Sequence, residues 1–279
     1  MAVRIVTDST CDLSAEEVKR LGVDIIPLKV LFGETEYIDG VDLTAPQFYK
    51  MLAQQQELPK TSQVPPQTFL QLCAQCLRAE DEVVILTISS TLSGTYQSAL
   101  MAKEQLGSDK IHVVDSRQVT ASLAILVRYA ARLRDEGRSA EQIAAALERK
   151  REKARLYAVV DTLKYLRMGG RLSATVAVAG SVLGIKPILS VKDGSLAMEG
   201  KARGFATACE RVSHIFLADD VDRRMPMCFV HSDAPDKARM LQKLCREDIK
   251  GREELTVEVG PVVGTHAGPG CAGVAYFVK

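Results

Sequence analysis

Val83-Val84-Ile85-Leu86-Thr87-Ile88 runs directly into Ser89-Ser90-Thr91-Leu92-Ser93-Gly94-Thr95-Tyr96-Gln97-Ser98, an apolar stretch that breaks into a hydroxyl-rich turn carrying a glycine. The first part reads as a strand and the second as its exit toward a helix. Working outward, Val3 to Thr7, Val23 to Pro27, Ile111 to Val114 and Tyr157 to Val160 are further short apolar runs, separated by helical periods of about 8 to 25 residues. Strands alternating with helices predict an α/β fold with a parallel sheet. Two helix starts carry capping boxes, Ser14 with Glu17 and Ser139 with Gln142.

After about residue 160 the pattern changes. Gly169-Gly170 ends a helix, a small-residue helix is expected next, and Lys186-Pro187 opens a hairpin. Its turn is placed at Asp193-Gly194, a dipeptide suited to the positive φ of a two-residue hairpin loop, with Ile188, Ser190, Leu196 and Met198 in rough alternation around it. Strands are expected at Met227 to Val230, Leu255 to Val259 and Val274 to Val278, around a helix from Asp236 to Cys245. The expected architecture is an N-terminal parallel α/β domain, 1–160, which can lend segments to a C-terminal mixed α+β domain, 161–279.

The 279 residues suit one large or two medium α/β domains. Hydrophobic residues make up 47%, aromatics only 5%, and Trp is absent, so a ligand pocket would be aliphatic rather than stacking. Lys plus Arg (36) balance Asp plus Glu (35), and a net charge of +1 provides no global field for nucleic acid or an acidic membrane. The start, Met1-Ala-Val-Arg-Ile-Val-Thr-Asp, lacks the apolar core of a signal peptide, and the weakly polar stretch Ala174 to Leu183 is too short to span a bilayer. Seven cysteines, an odd number scattered at 11, 73, 76, 209, 228, 245 and 271, read as reduced buried thiols, and a cytoplasmic location is expected. Cys73-x-x-Cys76 has helical spacing and no second pair nearby, which favours packing over zinc or a redox dithiol.

Several strands end alike: Thr7-Asp8-Ser9-Thr10, Ser89-Ser90, Asp115-Ser116 and His231-Ser232-Asp233. Such residues either cap the following helix or form a polar site beyond the carboxyl ends of the strands. The 89–98 turn reads as an anion cradle of hydroxyls and free N–H groups, since it has neither the Gly-x-Ser-x-Gly elbow nor a Walker lysine. Lys60-Thr61-Ser62-Gln63-Val64-Pro65-Pro66 is a second hydroxyl cluster, in a loop held extended by its prolines. Gly264 to Gly273 packs four glycines around His266, an expensive composition unless the backbone needs positive φ or close approach, so His266 is a candidate site residue. His112 and His214 sit in a strand and a helix and receive no role. Arg167, Arg171, Lys186, Lys201 and Arg203 form a basic group that is either a solvated face or a patch for a partner.

Taken in order and spacing, Thr7-Asp8-Ser9-Thr10, Thr61-Ser62-Gln63, Ser90 to Tyr96, Val114-Asp115-Ser116, Gly169 to Ser173, Ile185 to Leu189, Lys201 to Gly204 and His266 to Gly270 resemble the DegV family, the fatty-acid-binding subunits of the bacterial fatty acid kinase system. The resemblance implies two domains with one long-chain fatty acid between them and no other cofactor or metal. It implies that the carboxylate is held by Thr61, Ser93 and His266, with Ser62, Gly94, Thr95, Asp8, Ser9, Asp115 and Ser116 as supporting loop residues. It further implies a cytoplasmic partner, an ATP-binding subunit similar to dihydroxyacetone kinases, that phosphorylates the carboxylate. The acyl phosphate would pass to acyltransferases of phospholipid synthesis, with transient membrane contact. Arg171, Lys201 and Arg203 would then face the kinase. Where many relatives carry Met-Gly-x-Gly, this chain has Thr120-Ala121-Ser122-Leu123-Ala124, a departure expected to reshape the pocket wall. The competing class is a serine hydrolase or thioesterase using Ser93 and His266 with Asp8 or Asp115; a third is a small-molecule sensor or interaction protein without acyl transfer.

Overall fold

The computed structural model describes residues 2–172, 183–249 and 254–279. Strands β1 (Val3–Asp8) and β2 (Asp24–Ile26) open the chain, with helix α1 (Ala15–Leu21) between them. A small antiparallel sheet follows, formed by β3 (Lys29–Phe32), β4 (Thr35–Ile38) and β5 (Lys60–Ser62), with α2 (Ala45–Leu52) before β5. Helix α3 (Pro66–Arg78), β6 (Glu82–Thr87), α4 (Thr95–Leu106) and β7 (Ile111–Asp115) complete a four-stranded parallel sheet in the order β2-β1-β6-β7. The run beginning at Val83 is its inner strand. Val84 and Leu86 enter one apolar cluster and Val83 and Ile85 another, so both faces of the strand are buried, as a parallel sheet requires.

Helices α5 (Ala121–Asp135) and α6 (Ala140–Arg151) lead to β8 (Ala154–Val159). This strand, the last of the apolar runs before residue 160, pairs antiparallel with two strands of the second sheet and so is lent to it by the N-terminal part of the chain. The second sheet also contains β9 (Ile185–Lys192), β10 (Ser195–Arg203), β11 (Met227–His231), β12 (Glu254–Glu258) and β13 (Ala272–Phe277), in the order β10-β9-β8-β13-β11-β12, with only β11 and β12 parallel. Helices α7 (Lys164–Met168), α8 (Phe205–Ala218), α9 (Pro235–Ile249) and α10 (Pro261–Ala267) connect and cover it. The architecture is a parallel α/β unit joined to a mixed α+β unit. Helix α5 lies against β1 on one side and β8, β11 and β13 on the other, and Leu123, Ile125, Leu126 and Val127 are wholly buried. A helix packed by both sheets must be apolar over most of its surface, and this one is.

Local expectations are met where chain-neighbour chemistry controls them. Asp193 (φ 49°) and Gly194 (φ 81°) form the β9–β10 turn. Ser139 and Gln142 make a reciprocal capping box, whereas at Ser14 only the serine half of the expected box forms: Ser14 accepts the Glu17 amide, and the Glu17 carboxylate accepts from Arg20 instead. Cys73 and Cys76 are core residues of α3, and all seven cysteines are buried thiols. Besides β8, two site-bearing segments differ from the reading of the sequence. Thr61 lies in a strand, not a loop, because β3 supplies partners for its backbone, Val30 opposite Thr61. His266 lies in the last turn of a helix, which Pro261 opens at a position where the missing N–H costs nothing and Gly268 (φ 71°) closes. The small-residue helix expected after Gly170, with Ser173, falls outside the described residues. No helix among those described is long and apolar enough to cross a membrane.

Candidate functional site

A cavity of about 420 Å³ lies where the two main sheets and the small sheet meet, within the size range of small-molecule sites. Its wall is mainly aliphatic, with Leu28, Ile88, Leu156, Val160, Leu189 and Val262 among its residues. Thr61, Ser93 and His266 all line it. Each comes from a different element: Thr61 from β5, Ser93 from the β6–α4 turn, and His266 from the C-terminal turn of α10.

Their juxtaposition has identifiable causes. Thr61 Oγ1 and His266 Nε2 are hydrogen-bonded at 2.9 Å. Gln63, two residues beyond Thr61, lies across Gly94, where any Cβ would stand 1.9 Å from its Oε1, and its amide donates to Ser98 Oγ at 3.0 Å. The glycine therefore lets the 61–63 strand end and the 89–98 turn pack together. Ser93 Oγ is 2.9 Å from Thr95 Oγ1 and accepts the Thr95 amide at 3.3 Å, so the serine is held at the start of α4. Gly169 likewise leaves room for the imidazole, since a Cβ there would meet His266 Nδ1 at 2.2 Å.

Burial pushes the His266 pKa down to about 4, and the neighbouring positive charge of Arg171 acts in the same direction. The histidine is therefore neutral at pH 7. Its Nδ1 is buried without a hydrogen-bond partner among the described residues. The cluster thus offers hydroxyls and an uncharged imidazole, with one guanidinium at its margin.

The other residues singled out in the sequence divide between the cavity and the scaffold. Ser62 and Gly94 line the cavity, and Thr95 supports Ser93. Asp8, Ser9, Asp115 and Ser116 are outside its wall. Asp8 accepts the amides of Thr10 and Ile88, and Asp115 accepts the amide and hydroxyl of Ser90, the capping work open to strand-end carboxylates. Ser9 donates to Asp39 at 2.7 Å, and Ser116 Oγ donates to the Gln118 carbonyl at 3.2 Å. Arg171 lines the cavity and donates to the carbonyls of Leu92 and Gly169, whereas Lys201 and Arg203 are exposed on β10. Thr120 lines the cavity with φ 48°, Ser122 donates to the Val119 carbonyl, and Leu123 and Ala124 are wholly buried.

Ser93 and His266 are not hydrogen-bonded to each other. Ser93 Oγ bonds within its own turn, and neither Asp8 nor Asp115 supplies a carboxylate to His266 Nδ1. The relay of a Ser-His-Asp hydrolase is not assembled from these groups.

Two further carboxylates that no sequence motif marks, part-buried Asp12 and buried Asp39, lie at the N-terminal end of α10. Asp12 accepts the Gly260 amide at 2.9 Å and Asp39 accepts the Val262 amide. Burial raises the Asp39 pKa to about 7. Neither residue has a motif around it. Only the fold brings them beneath the helix that carries His266.

Fold and site together define an α/β protein with an apolar cavity between its sheets and a mostly neutral polar cluster in the cavity wall. The chain belongs to the DegV family: the family model described as "Uncharacterised protein, DegV family" matches residues 2–279. A DegV domain-containing protein of Deinococcus radiodurans is 38% identical over 278 residues, covering 99% of this chain and 98% of that one. One from Clostridium acetobutylicum is 36% identical, with 99% of each chain covered. Among solved structures, a DegV family protein from Thermus thermophilus described for fatty acid binding superposes with a TM-score of 0.89 at 32% identity, covering 100% of both chains. DegV from Bacillus subtilis, described as a fatty acid binding protein, gives 0.88 at 31% identity, again over 100% of both chains.

Proposed function

We propose that this protein binds one long-chain fatty acid, burying the acyl chain in the cavity and holding the carboxylate at Thr61, Ser93 and His266. The observation that carries this reading is the convergence of those three side chains, from chain positions far apart, on one aliphatic cavity. Fatty acid binding by the Thermus and Bacillus relatives supports it. The energetics favour a tail-driven complex. Some fifteen methylenes at about 0.8 kcal/mol each give a gross gain of roughly 12 kcal/mol before ordering and association costs. The head group needs donors because an unpaired buried carboxylate is costly. Donors that are mainly hydroxyls satisfy it without a bidentate arginine clamp.

A carboxylate held in this way stays open to modification at oxygen. In this reading the protein presents it to a separate ATP-dependent kinase subunit, which transfers a phosphoryl group to make the acyl phosphate for acyltransferases of phospholipid synthesis. Arg171, beside the polar cluster, with Lys201 and Arg203 on β10, would be the basic groups available to that partner.

The test is extraction and mass spectrometry of the ligand carried by the purified protein, followed by Ser93→Ala. The parent is expected to yield a fatty acid of palmitate, stearate or oleate size, and the variant much less. Equal fatty acid content in both would remove the head-group assignment. Adding a DegV-associated kinase subunit with ATP should consume the bound acid; persistence of the free acid would leave a carrier or sensor without acyl transfer.

A further inference from the structure

The turn that carries Ser93 is fastened to the other half of the molecule. Gly194, at the tip of the β9–β10 hairpin, presents its carbonyl to two hydroxyls at once: Ser89 Oγ donates to it at 2.8 Å and Thr91 Oγ1 at 2.5 Å. Ser195 Oγ adds a contact to Thr91 Oγ1 at 3.3 Å. Approach is close enough that a Cβ on Gly194 would stand 2.6 Å from Ser89 Oγ, and the glycine's φ of 81° is one that L side chains rarely adopt. A second tie lies one residue before Ser93, where Arg171 Nε donates to the Leu92 carbonyl at 3.2 Å. The Ser93 amide donates to the Ser89 carbonyl at 3.1 Å, so displacement of Ser89 is transmitted to Ser93 through one hydrogen bond.

The geometry points to Thr91 and Ser89, through the Gly194 carbonyl, as positioning residues for the carboxylate donor Ser93. The parallel-sheet unit supplies the donor, and the hairpin of the mixed sheet fixes where it points. This inference rests on the reading that Ser93 binds the carboxylate. Hydrogen-bonded hydroxyls that anchor a loop differ from hydroxyls that touch ligand in one measurable way. Their loss weakens only the head-group part of binding, and it weakens nothing further once the head-group donor is gone. Thr91 is exposed, so replacing it leaves the packed core untouched.

The experiment uses the full chain with ligand removed and titrates palmitate and hexadecanol, which share a tail and differ in the carboxylate. Thr91→Val is expected to weaken palmitate by about threefold to tenfold, the worth of one net hydrogen bond, and hexadecanol by less than about twofold. Thr91→Ser, which keeps the hydroxyl, should restore palmitate binding. Thr91→Val added to Ser93→Ala should cost nothing beyond Ser93→Ala alone. Equal weakening of palmitate and hexadecanol by Thr91→Val, or full additivity with Ser93→Ala, would overturn the inference. So would Thr91→Val binding both ligands as the parent does while Ser93→Ala loses palmitate. If Ser93→Ala itself binds palmitate normally, the underlying head-group reading fails, and that result is distinct from the others.

Discussion

Replacing Thr61 with valine tests the polar cluster at its most explicit contact. Valine keeps the branched shape and removes only Oγ1, the atom hydrogen-bonded at 2.9 Å to His266 Nε2. Because Nδ1 of the same ring already lacks a partner among the described residues, the substitution leaves a part-buried neutral imidazole with no hydrogen bond to its ring among those residues. Leaving a buried polar group unsatisfied costs about 1–3 kcal/mol. At about 2–3 °C per kcal/mol for a chain of this size, the ligand-free protein should melt roughly 2 to 9 °C lower. Binding loses more, because Thr61 is also a proposed donor to the carboxylate, and a hydrogen bond to a charged group is worth about 1.5–3 kcal/mol, or roughly tenfold to 150-fold in affinity. Scanning calorimetry of the ligand-free protein and palmitate titration read the two effects separately. Thr61→Ser should recover most of both. A Thr61→Val protein that melts within a degree of the parent and binds palmitate equally would show that the contact with His266 contributes nothing and that Thr61 is not a carboxylate donor.

His266 titrates near 4 in the folded protein against 6.5 ordinarily, so the unfolded chain takes up the proton first. The resulting stability is full above about pH 6.5, is lost as pH falls toward 4, and amounts to at most about 3 kcal/mol; His266→Gln should flatten this part of a denaturant-midpoint profile. Asp39 has the opposite sign, with a folded pKa of about 7 above the usual 3.8. Its contribution is present below about pH 4 and lost as pH rises through 7, so Asp39→Asn should gain up to about 4 kcal/mol at pH 8 relative to pH 4, and a gain that does not vary with pH would contradict the assignment. Gly94→Ala drives a Cβ into the terminal amide of Gln63, a flexible group that can swing aside, so the loss should be about that of the Gln63–Ser98 hydrogen bond, about 0.5–1.5 kcal/mol, and Gln63→Ala in the same chain should add little further in urea melts.

Elements governed by neighbours in the chain were legible. The strand from Val83, the Asp193-Gly194 turn and the Ser139 capping box depend on side-chain alternation, permitted φ and a three-residue reach, all of which are local. The hydroxyls of the 89–98 turn are legible as anion donors, and the glycines around His266 as a costly composition that needs a purpose. Other features had no local signature. Thr61 became a strand residue because β3 lay alongside it, and His266 joined a helix whose glycine at 264 fits against Phe48 and Tyr49, residues more than two hundred positions away. Asp12 and Asp39 carry no local signature, because their placement under the start of α10 depends on segments remote in the chain.

By itself the sequence determined the α/β class, the alternating strands and helices of the first part, the β9–β10 hairpin, and the aliphatic character of any interior ligand site. Tertiary structure alone decided that β8 joins the mixed sheet, that Thr61, Ser93 and His266 share one cavity, that His266 stays uncharged at neutral pH, and that a hairpin tip holds the Ser93 turn. The division has a physical basis. Backbone preference and patterning act over a few residues, whereas desolvation, cavity shape and hydrogen bonds between remote loops exist only after distant segments have excluded water from one another.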